Sequence, residues 1–409
     1  MKIPELLAPA GNMEKLEMAI HYGADAVYLG GEEFSLRRLA DNFTIDGLAH
    51  AVRYAHERSK RVYLATNIFP HNADIETIGD YLRKVASIPF DAYIVSDPGV
   101  MEMVQEVSPD REIHLSTQAN TTNWRSALFW KKQGVSRVNL AREMSLADIS
   151  ETREKSGVDV EVFVHGAMCI SYSGRCLLSG VMSGRDANHG ECAHPCRWGY
   201  AIVEEKRPGQ FFPVIEDGRG TFIFNSKDLC LLEYLPELIE AGVDSLKIEG
   251  RMKGIHYVAS VVRVYREALD SYREDPGKFT VKKEWLSELG KISHRGYTSG
   301  FLLGRPGEEA YEAEAGYLRS HEMVGLVSDV LENGDAVIEV RNRVTSADVV
   351  EFIGKGMSSH FSAMSTMMAL NGAGSDILEV AHPNQLVRMR LPFSVERYDL
   401  LRREKKQSD

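Results

Sequence analysis

The sequence predicts an α/β fold: a TIM-like (β/α)8 barrel with a cysteine-bearing insertion after its seventh strand, then a small C-terminal antiparallel β-barrel domain. Three observations predict it. Helix-to-strand junctions recur in one pattern along the first 250 residues, no phosphate-binding GxGxxG turn follows any candidate strand, and the apolar pattern becomes simple alternation after about residue 320. The expected organisation is a barrel over 1–275 with its insertion at 167–230, a connecting segment over 276–319 and the β domain over 320–409.

The junctions are His21-Tyr-Gly-Ala-Asp-Ala-Val-Tyr-Leu-Gly30, Lys132-Gln-Gly-Val-Ser-Arg-Val-Asn-Leu-Ala-Arg142 and Glu240-Ala-Gly-Val-Asp-Ser-Leu-Lys-Ile-Glu-Gly250. In each, a glycine stands where a helix C-cap needs positive φ, and a short apolar run follows at once. Strands are expected at 5–10, 26–30, 61–67, 92–96, 112–118, 137–142, 161–166 and 245–250, with helical patterns at 43–58, 76–88, 121–133 and 254–272. Eight strands with crossover helices close most simply into a barrel, and the missing GxGxxG turn disfavours an open doubly wound sheet. Barrel chemistry sits at the C-terminal strand ends, which here offer Asn67, Asp97, Gln118, Arg142, His165, Lys247, Glu249 and Arg251. Several of these have a bland reading as helix caps or mutual ion pairs.

Composition bounds the function. A chain of 409 residues with 44% apolar and 26% charged residues buries a sizeable core, so disorder is excluded as the default. No stretch approaches about 18 continuous apolar residues and the N-terminus carries no secretory pattern, so a cytoplasmic protein without membrane contact is expected. The net charge of −11 argues against wholesale nucleic-acid binding and leaves only local basic patches for such contact.

All five cysteines lie between Cys169 and Cys230, an odd number in one short region, which suits a local metal site better than a disulfide framework. Four follow the spacing C-x6-C-x15-C-x3-C (Cys169, Cys176, Cys192, Cys196) within an excursion too long for an ordinary αβ link. Soft thiolates favour an iron–sulfur cluster or zinc. The irregular spacing leans towards a [4Fe–4S] cluster, because zinc sites usually pair their ligands at CxxC-like spacings. Cys230 is read either as a small buried residue opening a helix over Leu231–Ala241 or as a substitute ligand. His165, His189 and His194 flank the region, but no HExxH occurs, and no GxSxG nucleophile elbow is present.

In the last third, Met323–Val330 and Asp335–Arg341 read as a hairpin across Glu-Asn-Gly, and further strand-like runs lie at 348–353 and 386–391. Arg388, Arg390, Arg397, Arg402, Arg403, Lys405 and Lys406 make this end basic, which reads either as a solvated charged tail or as a grip for tRNA.

The stretch from His165-Gly-Ala-Met-Cys169 through Cys192-x3-Cys196-Arg-Trp198, with Asn225-Ser-Lys-Asp-Leu229 and Lys247-Ile-Glu-Gly-Arg251, resembles peptidase family U-32, the collagenase-like peptidases. The closing runs His382-Pro-Asn-Gln-Leu386 and Tyr398-Asp-Leu-Leu-Arg402 resemble its branch of prephenate-dependent tRNA uridine hydroxylases. The resemblance implies a [4Fe–4S] cluster on Cys169, Cys176, Cys192 and Cys196 and oxygen-independent hydroxylation at C5 of the tRNA wobble uridine. It implies prephenate as co-substrate; because that is a dicarboxylate, the rim cations Arg142, Arg175, Lys247 and Arg251 are the candidates to hold it, and the strand-end amides Asn67 and Gln118 are further candidate substrate contacts. Glu249 and His165 are the candidate proton-moving groups. Two other classes stay open: a peptidase, as the family label says, and a non-catalytic chain supplying cluster or tRNA binding to a related partner chain.

Overall fold

The computed structural model describes residues 2–35, 42–169, 171–174, 176, 178–195, 202–203, 211–212, 215–217, 220–222, 227–304, 318–370 and 377–405. Strands β1 (Glu5–Pro9), β2 (Ala26–Leu29), β3 (Arg61–Thr66), β4 (Ala92–Val95), β5 (Glu112–Leu115), β6 (Arg137–Asn139) and β7 (Asp159–Ala167) pair in parallel, each with the next. Between β7 and the eighth barrel strand lie the insertion's short strands β8 (Ile202–Val203), β9 (Phe211–Phe212), β10 (Ile215–Asp217) and β11 (Gly220–Phe222), then β12 (Asp228–Cys230). Strand β13 (Ser245–Ile248) pairs in parallel with both β7 and β1, so the eight-stranded barrel predicted from the sequence is closed.

The helices start and stop where local chemistry directs. Helix α1 (Met13–His21) is capped by Asn12, whose side chain accepts from the Lys15 backbone N–H at 3.0 Å, and α2 spans Ile45–His56, α3 Ile75–Val85 and α4 Pro98–Val107. Asp97 accepts from the backbone N–H groups of Gly99 and Val100 ahead of Pro98, so this strand-end acid is a helix cap. Helix α5 covers only Trp124–Lys132, because Asn123 caps it and a 3-10 turn at Thr117–Ala119 occupies the chain beyond β5. A Ser145–Asp148 capping box opens α6 (Leu146–Ser156). Beyond α7 (Leu178–Ser183) and α8 (Leu235–Glu240), α9 (Ile255–Glu274) lays a largely buried face on the barrel, and α10 spans Lys283–Gly290. The junction glycines Gly23, Gly134 and Gly242 do take positive φ, at 107°, 97° and 80°.

Inside the barrel a buried charge cluster replaces part of the apolar filling. Glu5 accepts from Arg137 Nη1 and from the Tyr63 hydroxyl, both at 2.7 Å, and is paired with Arg61. Glu161 lies 2.7 Å from Lys247 Nζ and 3.7 Å from Arg137 Nη1. Burial raises the Glu161 carboxyl, but Lys247 and Arg137 more than offset it and hold the group below its ordinary value.

After β14 (Tyr297–Thr298) the C-terminal domain consists of β15 (His321–Val330), β16 (Ala336–Val340), β17 (Val344–Thr345), β18 (Val349–Ile353), β19 (Ser359–Ala363), β20 (Met368–Ala369), β21 (Val380–Ala381), β22 (Leu386–Met389) and β23 (Leu400–Glu404). Seven of these form an antiparallel sheet in the order β19-β18-β23-β15-β16-β22-β20 around a separate core that includes Val324, Ile338, Phe352 and Leu401. The domain is keyed to the barrel. Arg402 of β23 is fully buried and donates two 2.6 Å bonds to Glu288 of α10 and one of 2.9 Å to Glu351 of β18, while the Tyr22 hydroxyl at the end of α1 donates to the Ile353 carbonyl at 2.8 Å. Arg403 is likewise taken up, by Glu322 and Asp348 at 2.8 Å each. These two arginines, counted from sequence into a basic patch, are therefore spent on docking and strand pairing.

Replacing Arg402 by Met takes the hydrogen-bonded guanidinium from two buried carboxylates, leaving Lys291 3.2 Å from Glu351 and Arg263 3.9 Å from Glu288, and is expected to destabilise the chain by about 3 kcal/mol at neutral pH, measured by urea unfolding. Burial raises the Glu288 carboxyl, but its bonds to Arg402 bring it down to about 2. A depressed carboxyl contributes stability above its unfolded value of about 4.3 and loses it as pH falls through the folded value. The gap between wild type and Arg402→Met should therefore shrink from pH 5 towards pH 2. A gap that stays constant with pH would show that the ion pair does not carry the docking.

Candidate active site

At the C-terminal face of the barrel, the residues after β3, β5 and β6 meet. Asn67 Nδ2 donates to Gln118 Oε1 at 2.8 Å and to Ser116 Oγ at 3.3 Å, and Ser116 donates to the same Gln118 oxygen at 2.7 Å. Arg142, beyond β6, sits over Phe163 with its guanidinium carbon 3.9 Å from the ring centroid, and its Nη2 is 3.8 Å from Glu249 Oε2 beyond β13. That separation is a loose ion pair. Four predicted residues, Asn67, Gln118, Arg142 and Glu249, thus end at the barrel mouth.

The sequence reading missed three polar neighbours of these residues, Asn120, Thr121 and Asn139. Asn67 Oδ1, Asn120 Oδ1, Thr121 Oγ1 and Asn139 Oδ1 are buried with no hydrogen-bond partner among the described residues. Each such group costs about 1–3 kcal/mol unless something polar arrives to pair it. Asn139 was recoverable in principle, since it stands two positions after Arg137 on β6 and so faces the barrel interior as Arg137 does. Asn120 takes φ 53° at the end of the 3-10 turn, a conformation with no clear sequence signal beyond its being Asn.

Three predicted site residues lie elsewhere. Lys247 is buried inside the barrel with its ammonium on Glu161 and 4.5 Å from the Tyr28 ring centroid, because it falls in the middle of β13 with its side chain inward. Arg251 is also buried, and its Nη2 donates to Ser35 Oγ at 3.0 Å and Asn42 Oδ1 at 2.5 Å, tying the segment after β2 to the turn after β13. His165 is turned away from the mouth. The pairing of β13 with β7 shifts register between Lys247 and Ile248, so His165 lies opposite Ile248, and its ring is boxed by Tyr257, Tyr265 and Tyr297 at centroid distances of 5.9, 5.7 and 5.3 Å. Neither ring nitrogen has a hydrogen-bond partner among the described residues, and burial pushes its pKa down to about 3. Gly166, with φ 111°, lets this stretch come close to the turn after β13, where a Cβ would fall 2.6 Å from the Glu249 carbonyl oxygen. Arg175 and Cys196 lie outside the described residues.

The insertion is pinned against barrel loops at two places. The backbone N–H and hydroxyl of Ser173 donate to Glu143 at 2.7 and 2.6 Å in the loop after β6. On the other side the Phe69 N–H donates to the Asn188 carbonyl at 3.0 Å, in the loop after β3. Asn188 also clamps Cys176, accepting its N–H at 3.4 Å and donating to its carbonyl at 3.1 Å. The Cys192 sulfur accepts from the His194 backbone N–H at 3.4 Å. Cys169 is exposed just past β7. A zinc tetrahedron with Zn–S about 2.3 Å sets its sulfurs roughly 3.8 Å apart. Among the described residues, Cys169, Cys176 and Cys192 form no group with all sulfurs within 4.8 Å of one another. Cys230 has different surroundings. It lies in β12, which pairs antiparallel with the end of β7 where a helix start was expected, with its sulfur 3.9 Å from the Tyr265 hydroxyl, and burial pushes its thiol up to about 11.

The His165 box makes a stability prediction. The unfolded chain takes up a proton on this histidine below about pH 6.5 while the folded chain does not, so stability is lost as pH falls from there towards 3. Between pH 7.5 and 5, His165→Phe should lose about 2 kcal/mol less stability than wild type. Parallel pH–stability curves for the two proteins would show that His165 is protonated in the fold.

Over residues 11–312 the chain matches the family described as Peptidase family U32, and over 319–402 the family described as Peptidase family U32 C-terminal domain. It is 43% identical over 406 residues to "tRNA hydroxylation protein P1" of Bacillus subtilis, covering 99% of this chain and 96% of that one. It is 38% identical to "tRNA hydroxylation protein P" of Escherichia coli over 86% of each chain, and 32% identical to the same organism's "23S rRNA 5-hydroxycytidine C2501 synthase" over 74% of this chain and 46% of that one. With the barrel and the C-terminal sheet domain both matched along their length, the chain belongs to peptidase family U32.

Proposed function

We propose that this U32 chain is an RNA hydroxylase, acting at C5 of the wobble uridine of tRNA without molecular oxygen and with prephenate as co-substrate. The observation that carries the reading is its likeness over nearly its whole length to a protein named for tRNA hydroxylation, joined to a cysteine loop docked at the barrel mouth. A related rRNA enzyme named for 5-hydroxycytidine supports pyrimidine C5 as the kind of atom addressed. Such a substrate places the chain in the cytoplasm.

The residues suit the parts of that task. Cys169, Cys176, Cys192 and Cys196 would hold a [4Fe–4S] cluster, since they are soft thiol donors on one loop at irregular spacing and Cys192 already receives a backbone N–H. When bound, the cluster supplies one-electron redox chemistry. Arg142 would take a carboxylate of prephenate in place of its loose contact with Glu249, by a charge-assisted bond strengthened in a dry mouth. Glu249, released from Arg142, would then be placed to accept a proton. The amides of Asn67, Gln118, Asn120 and Asn139 offer the donors and acceptors that a uracil edge requires, with three of their oxygens already desolvated.

The first measurement is iron and acid-labile sulfide on anaerobically purified protein, beside Cys176→Ala/Cys192→Ala. About four of each per chain in wild type, absent in the variant, with prephenate-dependent formation of 5-hydroxyuridine in tRNA lost in parallel, is the expected result. Arg142→Met should raise the half-saturating prephenate concentration about tenfold or more, the equivalent of one charge-assisted bond. Zinc without sulfide would sink the redox reading. Peptide cleavage that survives loss of the cysteines, with no tRNA product, would return the family's peptidase label to the front.

A further inference from the structure

We propose that His71, Asp186 and His189 form a second metal site, for a divalent transition-metal ion, which ties the cysteine loop to the barrel. The three residues come from two distant segments. His71 belongs to the loop after β3, and Asp186 and His189 flank a 3-10 turn at Ala187–His189 in the insertion. One ligand atom from each lies within 4.8 Å of the others, and the two imidazole centroids are 4.7 Å apart. Two imidazoles and a carboxylate are a donor set for zinc, ferrous iron and their neighbours, and poorly suited to calcium or magnesium, which prefer all-oxygen shells.

The surroundings supply what a ligating histidine needs. His189 Nε2 lies 2.7 Å from the Phe69 carbonyl oxygen and 3.5 Å from Asp74 Oδ2. A carbonyl can only accept, so Nε2 carries the proton and Nδ1 keeps its lone pair for a metal. This carbonyl- or carboxylate-backed geometry is the usual support of a metal-bound imidazole. The same Asp74 oxygen accepts from the His71 backbone N–H at 2.7 Å, so one carboxylate positions both histidine-bearing segments. Asp186 spends Oδ1 on the Asn188 N–H at 2.8 Å and has a second oxygen to offer. All three candidate ligands are partly or fully exposed, so water can complete a coordination shell that three protein groups leave open.

The consequence lies in Asn188. It sits between the two insertion ligands and is the residue that clamps the backbone of Cys176. A metal on His71, Asp186 and His189 therefore fixes the backbone that carries one thiol of the cysteine loop against the barrel, across segments 120 residues apart at the Phe69–His189 contact. Closing so long a loop by a clip removes unfolded-chain entropy as well as local freedom. This assignment does not depend on what the cysteines bind or on the reaction proposed above.

Cobalt(II) added to the full-length, anaerobically purified chain, with iron and sulfide measured before and after, tests it. The expected result is about one equivalent bound, displaceable by zinc, with visible ligand-field bands and no thiolate-to-cobalt charge transfer, as nitrogen and oxygen donors require. Binding should be lost in His71→Ala and in His189→Ala, and weakened about tenfold or more in Asp74→Asn, which removes the supporting charge. Asp186→Asn, which keeps the side-chain volume and the bond from Asn188, guards against a variant that merely misfolds, and it too should lose the metal. Zinc should slow proteolysis within 170–195 in wild type and not in these variants. Cobalt bound equally well by His71→Ala/His189→Ala, a spectrum carrying thiolate charge transfer, or no binding by a wild-type chain of unchanged iron content and thermal midpoint would each overturn the site.

Discussion

Glu161 lies within the barrel with Lys247 at 2.7 Å and Arg137 at 3.7 Å, and Arg137 reaches on to Glu5 at 2.7 Å. Two carboxylates and two cations enclosed this way must neutralise one another, since an unpaired charge in that volume costs several kcal/mol. This pairing constrains the rest of the molecule. It fixes the inward positions of β1, β6, β7 and β13 in register, because each strand contributes one partner. It also removes Lys247 from the cations available to a substrate, leaving Arg142 as the mouth guanidinium among the described residues. The same alternation that puts Arg137 inside puts Asn139 inside, two residues nearer the mouth, where its amide oxygen has no partner among the described residues.

The second constraint is the irregular pairing of β7 with β13. Up to Phe163 the strand alternates as a barrel strand should, and Phe163 supports Arg142 at the mouth. Past the shift, His165 enters a box of three tyrosines, Gly166 allows close approach to the turn after β13, and the chain end becomes a pairing edge for β12. The insertion departs from that point. Cys169 is therefore carried out of the sheet into an exposed position, while Cys230, returning on β12, is kept within the aromatic layer. One shift in register separates the two kinds of cysteine.

The C-terminal domain shows the same economy of charge. Arg402 is drawn into Glu288 and Glu351 and holds the sheet domain on α10, while Arg403 is taken up within the domain by Glu322 and Asp348. Tyr22 extends the junction by bonding backbone atoms of Ile353 and Leu400. A nucleic-acid surface on this domain would have to use other side chains.

The sequence by itself determined the barrel, because helix-to-strand junctions are local: the glycine that closes a helix and the apolar run after it lie within ten residues, and the pattern repeats. Strand ends were legible for the same reason, so Asn67, Gln118, Arg142 and Glu249 could be placed at the mouth from position alone, and the cysteine insertion declared itself by length. Other decisions belonged to the tertiary structure. Whether His165 faced the mouth depended on a register shift against β13, some eighty residues on, and side-chain direction in a strand reverses with each such shift. Lys247 and Arg251 read as free cations until Glu161, Ser35 and Asn42 came beside them in space. His71, Asp186 and His189 met only when the insertion folded back over the loop after β3. Pairing of charges and convergence of ligands are properties of distance, and distance between remote segments is what the folded chain supplies.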